Sequence, residues 1–268
     1  MNNLEGFIFC PVCNNHMAQC FSAVVLKRYK VRYYSCNNCG LLKTEEPYWI
    51  NEAYNDAISV LDTGILARNW SISKRIAVLL FYLYGKHGIY LDSAGGYGIL
   101  TRLMRDIGFD FYWFDKHCAN IFAKGFEHGT TEKRYNAVTA FEVLEHVTDP
   151  LAFIHENMET AKADTFIFST LLYGDMVPEP GKWWYYAHET GQHVTFYQKR
   201  TLAVIGKKLE LKLYSNNFLH VFSKRNINKK IVRGILSPLS EVFIYIVYAL
   251  MGSKTMSDHE KLKNKSVM

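Results

Sequence analysis

Within the run Ala137-Val138-Thr139-Ala140-Phe141-Glu142-Val143-Leu144-Glu145-His146, two carboxylates and an imidazole fall at i, i+3 and i+4. If the segment turns helical after a strand, Glu142, Glu145 and His146 point to one side. Such a set suits a hard divalent ion, Mg2+ or Mn2+, which would orient and acidify an acceptor hydroxyl. In a second reading His146, or the downstream His193, serves as a general base without metal, because imidazole titrates near neutral pH. A third reading is structural: hydrogen bonds that fix the loop after the strand.

Four of the six cysteines form two pairs, Cys10-Pro11-Val12-Cys13 and Cys36-Asn37-Asn38-Cys39, with 22 residues between them. Each Cys-x-x-Cys turn can place two thiolates about 2.3 Å from one Zn2+, and two turns complete a tetrahedron. Four thiolates close the coordination sphere, so this zinc is expected to be structural rather than catalytic. Val24-Val25-Leu26 and Val31-Arg32-Tyr33-Tyr34 read as strands, which predicts a zinc ribbon. Its hairpin carries Lys27, Arg28, Lys30 and Arg32, either a nucleic-acid contact or a solvated face. Cys20 and Cys118 are left over and read as core filling.

A third cluster lies at Asp92-Ser93-Ala94-Gly95-Gly96-Tyr97-Gly98, between an apolar strand and an amphipathic helix. Gly95, Gly96 and Gly98 let the chain turn sharply and let a cofactor meet the backbone with no Cβ in the way. The helix behind them offers free N–H groups and a positive dipole end. Here the acid precedes the glycines, unlike the G-x-G-x-x-G order of dinucleotide sites. A second apolar run, Phe111–Phe114, ends in Asp115, 23 residues after Asp92, where a carboxylate can accept both ribose hydroxyls. The plainer role for Asp115 is to cap the segment that follows.

This order resembles motif I of the class I S-adenosylmethionine (SAM)-dependent methyltransferases, Asp/Glu-x-Gly-x-Gly-x-Gly. The resemblance covers roughly residues 72–211, with Phe141-Glu142-Val143-Leu144-Glu145-His146 as its most specific stretch. It implies a Rossmann-like α/β fold, a mostly parallel sheet flanked by helices, and methyl transfer from SAM. By that likeness Asp92 lies near the ammonium-bearing part of SAM, and Ala94, Gly95, Gly96 and Gly98 accommodate the cofactor. Asp115 takes the ribose, and Phe141 borders the space where cofactor and acceptor meet. Ala94 departs from the pattern at its first glycine. A similar Glu-x-x-Glu-His run binds a divalent metal in ubiquinone-pathway O-methyltransferases and, with a downstream histidine, in small-RNA 2′-O-methyltransferases. The likeness makes Glu142, Glu145, His146 and His193 a candidate second metal site, although the run also occurs in relatives where no metal is implied. N-terminal zinc modules accompany both ribosomal-RNA methyltransferases and enzymes of bacterial sugar and surface-polysaccharide pathways. Three functions therefore stay open: O-methylation of a sugar, saccharide or other small molecule; RNA methylation guided by the zinc ribbon; and retention of SAM or its product without turnover, as a regulator or scaffold.

Positioning these residues requires alternating strands and helices. Strands are predicted at Ile89–Asp92, Phe111–Phe114, Ala137–Phe141 and Thr165–Ser169, and helices at Ile99–Ile107, closed by Gly108, and from Pro150 to about Thr160 behind an Asp149 N-cap. Ile72, Ile76, Leu79, Leu80 and Leu83 give one apolar face in a helical pattern from Pro47 to Tyr84. Arg68-Asn69, just before the entry helix, could reach the SAM carboxylate or simply be surface-exposed, and the aromatic stretch 183–197 reads as an acceptor wall or as a hydrophobic clasp. The expected division is a cysteine module to 45, a helical connector at 46–85, the SAM-binding domain at 86–225 and a basic, partly apolar tail at 226–268.

Charge is uneven along the chain. Residues 1–198 hold 17 Lys/Arg against 21 Asp/Glu, and residues 199–268 hold 14 against 4. A nucleic-acid surface spread over the body is therefore not supported, whereas a basic tail meeting an anionic surface is. The clean apolar run Val242–Met251 has 10 residues, and a bilayer span needs about 20. It reads as an interfacial helix or as one packed on the protein itself. The N-terminus lacks the basic and apolar regions of a secretory signal. The expectation is a cytoplasmic chain, peripheral to the inner face of the membrane.

Overall fold

Each Cys-x-x-Cys pair sits where a strand must reverse, and the reversals are tight: the Asn14 N–H donates to the Cys10 carbonyl and the Gly40 N–H to the Cys36 carbonyl, both at 2.8 Å. A computed structural model of the chain describes residues 7–54, 62–130 and 134–266. In it β1 (Phe7–Phe9), β2 (His16–Val25), β3 (Tyr29–Ser35) and β4 (Leu42–Thr44) form an antiparallel meander. The hairpin strands run longer than the sequence predicts. A register shift between Gln19 and Phe21 bends β2 and leaves Cys20 exposed, so Cys20 is not core filling.

The helical pattern expected from Pro47 is interrupted. α1 (Ile50–Ala53) is one short turn and α2 (Ile65–Tyr84) is long; residues 55–61, which share that expectation, lie outside the described residues. Then come β5 (Ile89–Ser93), α3 (Ile99–Ile107), β6 (Asp110–Phe114), β7 (Ala137–Ala140), α4 (Pro150–Ala161) and β8 (Thr165–Ser169), within a residue of the predicted elements. Asp149 caps α4 as expected, its carboxylate accepting from the Ala152 N–H at 3.0 Å. β9 (Thr195–Phe196), α5 (Lys199–Lys208), β10 (Lys212–Ser215) and β11 (Leu219–Ser223) follow. Three further helices, α6 (Lys229–Ile235), α7 (Ile244–Met251) and α8 (Thr255–Ser266), end the described chain.

The main sheet has the order β10-β11-β8-β7-β5-β6, with β8, β7, β5 and β6 parallel and the β10/β11 hairpin antiparallel at one edge. Strands β5, β7, β8 and β11 are buried along their whole length because helices cover both faces. Side chains of α2, α3, α6 and α7 form the core on one face, and those of α4 and α5 the core on the other. The chain leaves β5 for β6 on one side and takes up β7 on the other, so the strand order reverses at the carboxyl end of β5. In open α/β sheets that reversal opens the ligand crevice.

β9 belongs to the other sheet. It pairs antiparallel with β4, Leu42 opposite Phe196 and Lys43 opposite Thr195, giving a five-stranded sheet β1-β2-β3-β4-β9. The cysteine module thus shares a sheet with the segment that carries His193. Further bonds close the seam: the Thr201 hydroxyl donates to the Cys39 carbonyl at 2.9 Å, and the Trp49 indole N–H to the Gly191 carbonyl at 2.9 Å.

Candidate active site

At the end of β5 the sequence-predicted cofactor residues come together around the glycine turn. Asp92 is buried and turned inward, accepting from the Thr139 hydroxyl at 2.9 Å and the Thr101 hydroxyl at 3.0 Å. Burial pushes its carboxyl up to about 7, against the two hydroxyls that favour the charged form. The turn is built close around it: a Cβ on Gly95 would lie 2.8 Å from Trp113 and 2.9 Å from the Asp92 carboxylate. Gly98 opens α3 in the left-handed region at φ +86°. Ala94 takes φ +54°, a conformation that costs a side chain about 1–2 kcal/mol. The replacement of the motif's first glycine is therefore accommodated under strain.

Asp115, at the end of β6, reaches over the turn. Its carboxylate accepts from the Gly96 N–H at 2.9 Å, the His117 N–H at 2.7 Å and the Cys118 N–H at 2.9 Å. It therefore caps the loop that follows and ties it back to the glycine turn. Trp113 braces the turn from behind, donating from its indole to the Gly96 carbonyl at 2.9 Å. Phe141, just past β7, is half-buried against the core under α2.

The Glu-x-x-Glu-His run does not form the expected helix. Glu142 takes φ +56°, and only Leu144–His146 make a 3-10 turn. The three side chains therefore do not share one face, since the spacing rule needs continuous α-helical geometry. Glu142 turns to accept from the Ser169 hydroxyl at 2.6 Å and to pair with Arg68 at 3.5 Å. Glu145, His146 and His193 do meet: one ligand atom from each lies within 4.8 Å of the others. Of the four candidates for a second metal site, three assemble and Glu142 stands apart.

This trio is built for lone pairs. His193 Nδ1 lies 2.7 Å from the Tyr185 carbonyl, which can only accept, so Nδ1 carries the proton and Nε2 keeps its lone pair. His146 Nδ1 faces the Gln192 carbonyl at 3.1 Å, with the Tyr54 hydroxyl beside it at 2.8 Å. Burial pushes His146 down to about 3, helped by its neighbour His193, and His193 down to about 4. Both rings are neutral at physiological pH. Glu145 is fully buried, and among the described residues neither carboxylate oxygen has a hydrogen bond of good geometry, although the Tyr185 and Thr170 hydroxyls lie close enough to favour its charged form. Burial, with Glu142 nearby, holds its carboxyl well above the ordinary carboxylate range. A buried carboxyl so weakly satisfied is costly.

The second cluster of ligating groups is the four cysteines, whose sulfurs lie within 4.8 Å of one another. Cys10 and Cys39 Sγ are 3.5 Å apart and Cys13 and Cys36 Sγ 3.4 Å, with no disulfide formed. The arrangement is compatible with zinc.

The aromatic stretch 183–197 is mainly a clasp. Tyr185, Tyr186 and Phe196 are buried in one core with Tyr33 and Trp49 of the N-terminal segment. Tyr185 and Phe196 also touch the trio, their rings 4.7 Å and 6.5 Å from that of His193, and the Val194 N–H donates to the Glu145 carbonyl at 2.8 Å. Trp184 remains exposed. Arg68 lies inside α2 rather than before it, bonded to Asp62 at 2.7 Å, while the Asn69 amide turns back to its own helix at the Ile65 carbonyl. Sequence reasoning missed Tyr54, Ser169, Thr101 and Thr139, which have no local motif to announce them.

Residues 67–216, more than half of the chain, match the family Methyltransf_23, described as a methyltransferase domain. No curated protein matches the chain in sequence. Among solved structures, magnesium protoporphyrin IX methyltransferase from Synechocystis PCC 6803 with bound S-adenosylhomocysteine is similar at 12% identity and a TM-score of 0.40, over 65% of this chain and 90% of that one. A SAM-dependent methyltransferase from Thermotoga maritima is similar at 12% identity and a TM-score of 0.43, over 67% of this chain and 98% of that one. The family match, the strand reversal and the glycine turn with its two acids agree: the chain belongs to this methyltransferase family and is a SAM-dependent methyltransferase.

Proposed function

We propose that the chain transfers the methyl group of SAM to a hydroxyl oxygen of a sugar or other small molecule. The observation that carries this reading is the trio Glu145, His146 and His193, where a buried, weakly satisfied carboxyl meets two imidazoles, one ligand atom from each within 4.8 Å of the others and the His193 Nε2 lone pair free of the Tyr185 bond. SAM supplies an electrophilic methyl on a sulfonium, which is already a good leaving group. The protein must then align the acceptor and manage its proton.

In this reading Gly96, Gly98 and Asp115 hold the cofactor at the end of β5, Asp115 exchanging loop N–H bonds for ribose hydroxyls, and Asp92 shapes the turn from within. Glu145, His146 and His193 hold a divalent cation. Two imidazoles and one carboxylate suit Mn2+ or another transition ion better than Mg2+, which prefers oxygen. A cation there would lower the pKa of an acceptor hydroxyl. The low proton affinity of both histidines makes either a weak general base on its own. Exposed Trp184, beside Tyr185, and Tyr54, over His146, offer flat surfaces of the kind that stack on sugar faces.

The four cysteines hold a structural zinc in the same reading. The basic hairpin lends little support to an RNA acceptor, because Arg28 already pairs with Glu52 and Arg32 with Glu45.

The test is incubation with methyl-labelled SAM and fractionated extract, with and without a chelator followed by Mn2+. Label is expected as a methyl ether on a saccharide or small molecule, lost on chelation and restored by Mn2+. Label confined to RNA or protein would overturn the acceptor assignment; turnover indifferent to chelator would overturn the cation.

A further inference from the structure

The C-terminal helices bury one side and leave the other uncovered. Val232 and Leu236 at α6, and Ile244 and Val247 on α7, pack into the core over α2. α7 has no polar residue except its tyrosines, so its outward side is as apolar as its inward side. Leu239 is 83% exposed, Tyr245 76% and Val242 64%, and Phe243 and Ile246 are more than half exposed. Trp70, exposed on α2, joins them: Lys74 lies over its ring at 5.2 Å and reaches Glu241 at 3.1 Å. A helix apolar on all sides belongs in an apolar medium, and here half of it has none.

The charges that flank this face along the chain are mostly of one sign, although Asp106 of α3 lies near Tyr248. Between Lys224 and Lys254 the sequence holds six Lys/Arg and one acid, Glu241. Glu241 is turned inward, accepting from Ser71 at 2.6 Å and pairing with Lys74 and Arg75. Lys229, Lys230 and Arg233 are exposed on α6. A second copy of the chain would set these cations against their own kind, whereas an anionic lipid surface meets both the cations and the apolar side chains. Among the described residues no single helix is long and apolar enough to cross a membrane. The segments Lys229–Ile235 and Pro238–Met251 meet at 81°, so the apolar run is not one straight span.

We propose that Pro238–Met251, with Trp70, is an interfacial element that seats the protein on an anionic lipid surface, its aromatic and aliphatic side chains in the headgroup region and the α6 cations on the phosphates. This goes beyond methyl transfer and does not depend on the acceptor.

The test is co-sedimentation of the full chain with vesicles of phosphatidylcholine mixed with phosphatidylglycerol, against vesicles of phosphatidylcholine alone. Binding to the anionic mixture is expected, much weaker binding to the neutral one, and release as salt rises. The triple variant Val242→Ser, Phe243→Ser and Ile246→Ser should keep its melting temperature and SAM affinity, yet bind the anionic vesicles at least roughly ten- to hundredfold more weakly. Lys229→Glu with Lys230→Glu should weaken anionic binding alone. Failure of the wild-type chain to bind anionic vesicles at low salt, or equal binding by the triple variant, overturns the proposal. So does a dimer that Phe243→Ser dissociates with no vesicle binding, since the face then joins two copies.

Discussion

The two sides of the crevice at the carboxyl end of the sheet are built differently. The side proposed to hold the cofactor comes mainly from one contiguous stretch, 92–115, and its acids are satisfied: Asp92 by two threonine hydroxyls and Asp115 by three backbone N–H groups. The side proposed to take the acceptor is assembled from Tyr54, Arg68, Glu142–His146 and the segment 185–193, and among the described residues it leaves both oxygens of Glu145 without a hydrogen bond of good geometry. A preformed cofactor cradle needs little from its surroundings. The acceptor side depends on whatever holds its distant segments together: direct bonds such as the Val194 N–H to the Glu145 carbonyl at 2.8 Å and the Thr195 hydroxyl to the Val147 carbonyl at 2.7 Å, and, from outside, the cysteine module through the β4–β9 pairing.

The strongest way to break this contrast is Cys36→Ser. Binding energy at a structural four-cysteine site is folding energy, and Cys36, Cys39 and Leu41 lie in the same core as Tyr197, Leu202 and Ile205. Loss of one ligand should lower the melting temperature by about 10 °C or more, with loss of zinc by metal analysis. Below that temperature methyl transfer should fall further than SAM affinity, because His193 is held from the β9 side and Asp115 is not. If both fall in proportion, the two sides are not separable.

Asp115→Ala attacks the other side. Removing hydrogen bonds to a charged group costs about 1.5–3 kcal/mol, so SAM affinity by calorimetry should weaken roughly ten- to hundredfold. The effect should fall on SAM binding and leave any Mn2+ affinity of the trio unchanged. Unaltered SAM affinity would sink the ribose assignment.

The same contrast decides what could be read from the sequence. The glycine turn, the position of Asp115 at a strand end and the strands around them were legible because turn chemistry and strand-end position are local properties of the chain. The cysteine pairs were legible for the same reason, and the sulfurs converge. The Glu142–His146 run was misread in geometry: spacing at i, i+3 and i+4 has meaning only on a helix, and Glu142 at φ +56° breaks one. The aromatic stretch 183–197 could be read as wall or clasp with equal ease, since both uses need apolar rings. Only the tertiary partners Tyr33 and Trp49 make it a clasp. Nothing in the sequence announces that Tyr54 stands over His146 or that β9 leaves the main domain for the ribbon sheet.

Glu145→Met sharpens the acceptor side with a smaller effect. Without metal, the weakly satisfied buried carboxyl costs about 1–3 kcal/mol, and a methionine of similar size removes that cost. In chelator the variant should therefore be at least as stable as the wild type in urea unfolding. Mn2+ at about 100 times its dissociation constant should stabilise the wild type by about 2.7 kcal/mol and the variant not at all. Destabilisation of the metal-free variant would mean that the Glu145 carboxyl has partners of its own.

The smallest effect belongs to the one strained place on the satisfied side. Ala94 sits at φ +54° inside the turn, where glycine is free and alanine is not. Ala94→Gly relieves roughly 1–2 kcal/mol of backbone strain and returns about 0.4–1 kcal/mol through the looser unfolded chain. The net is a gain of about 0–1.6 kcal/mol, which at about 2–4 °C per kcal/mol raises the melting temperature by up to about 6 °C. SAM affinity should hold or improve slightly, because the turn already has this shape with alanine in place. A loss of stability would mean that the Ala94 methyl packs against something worth more than the strain it carries, and the cofactor side would then depend on its surroundings in the way the acceptor side does.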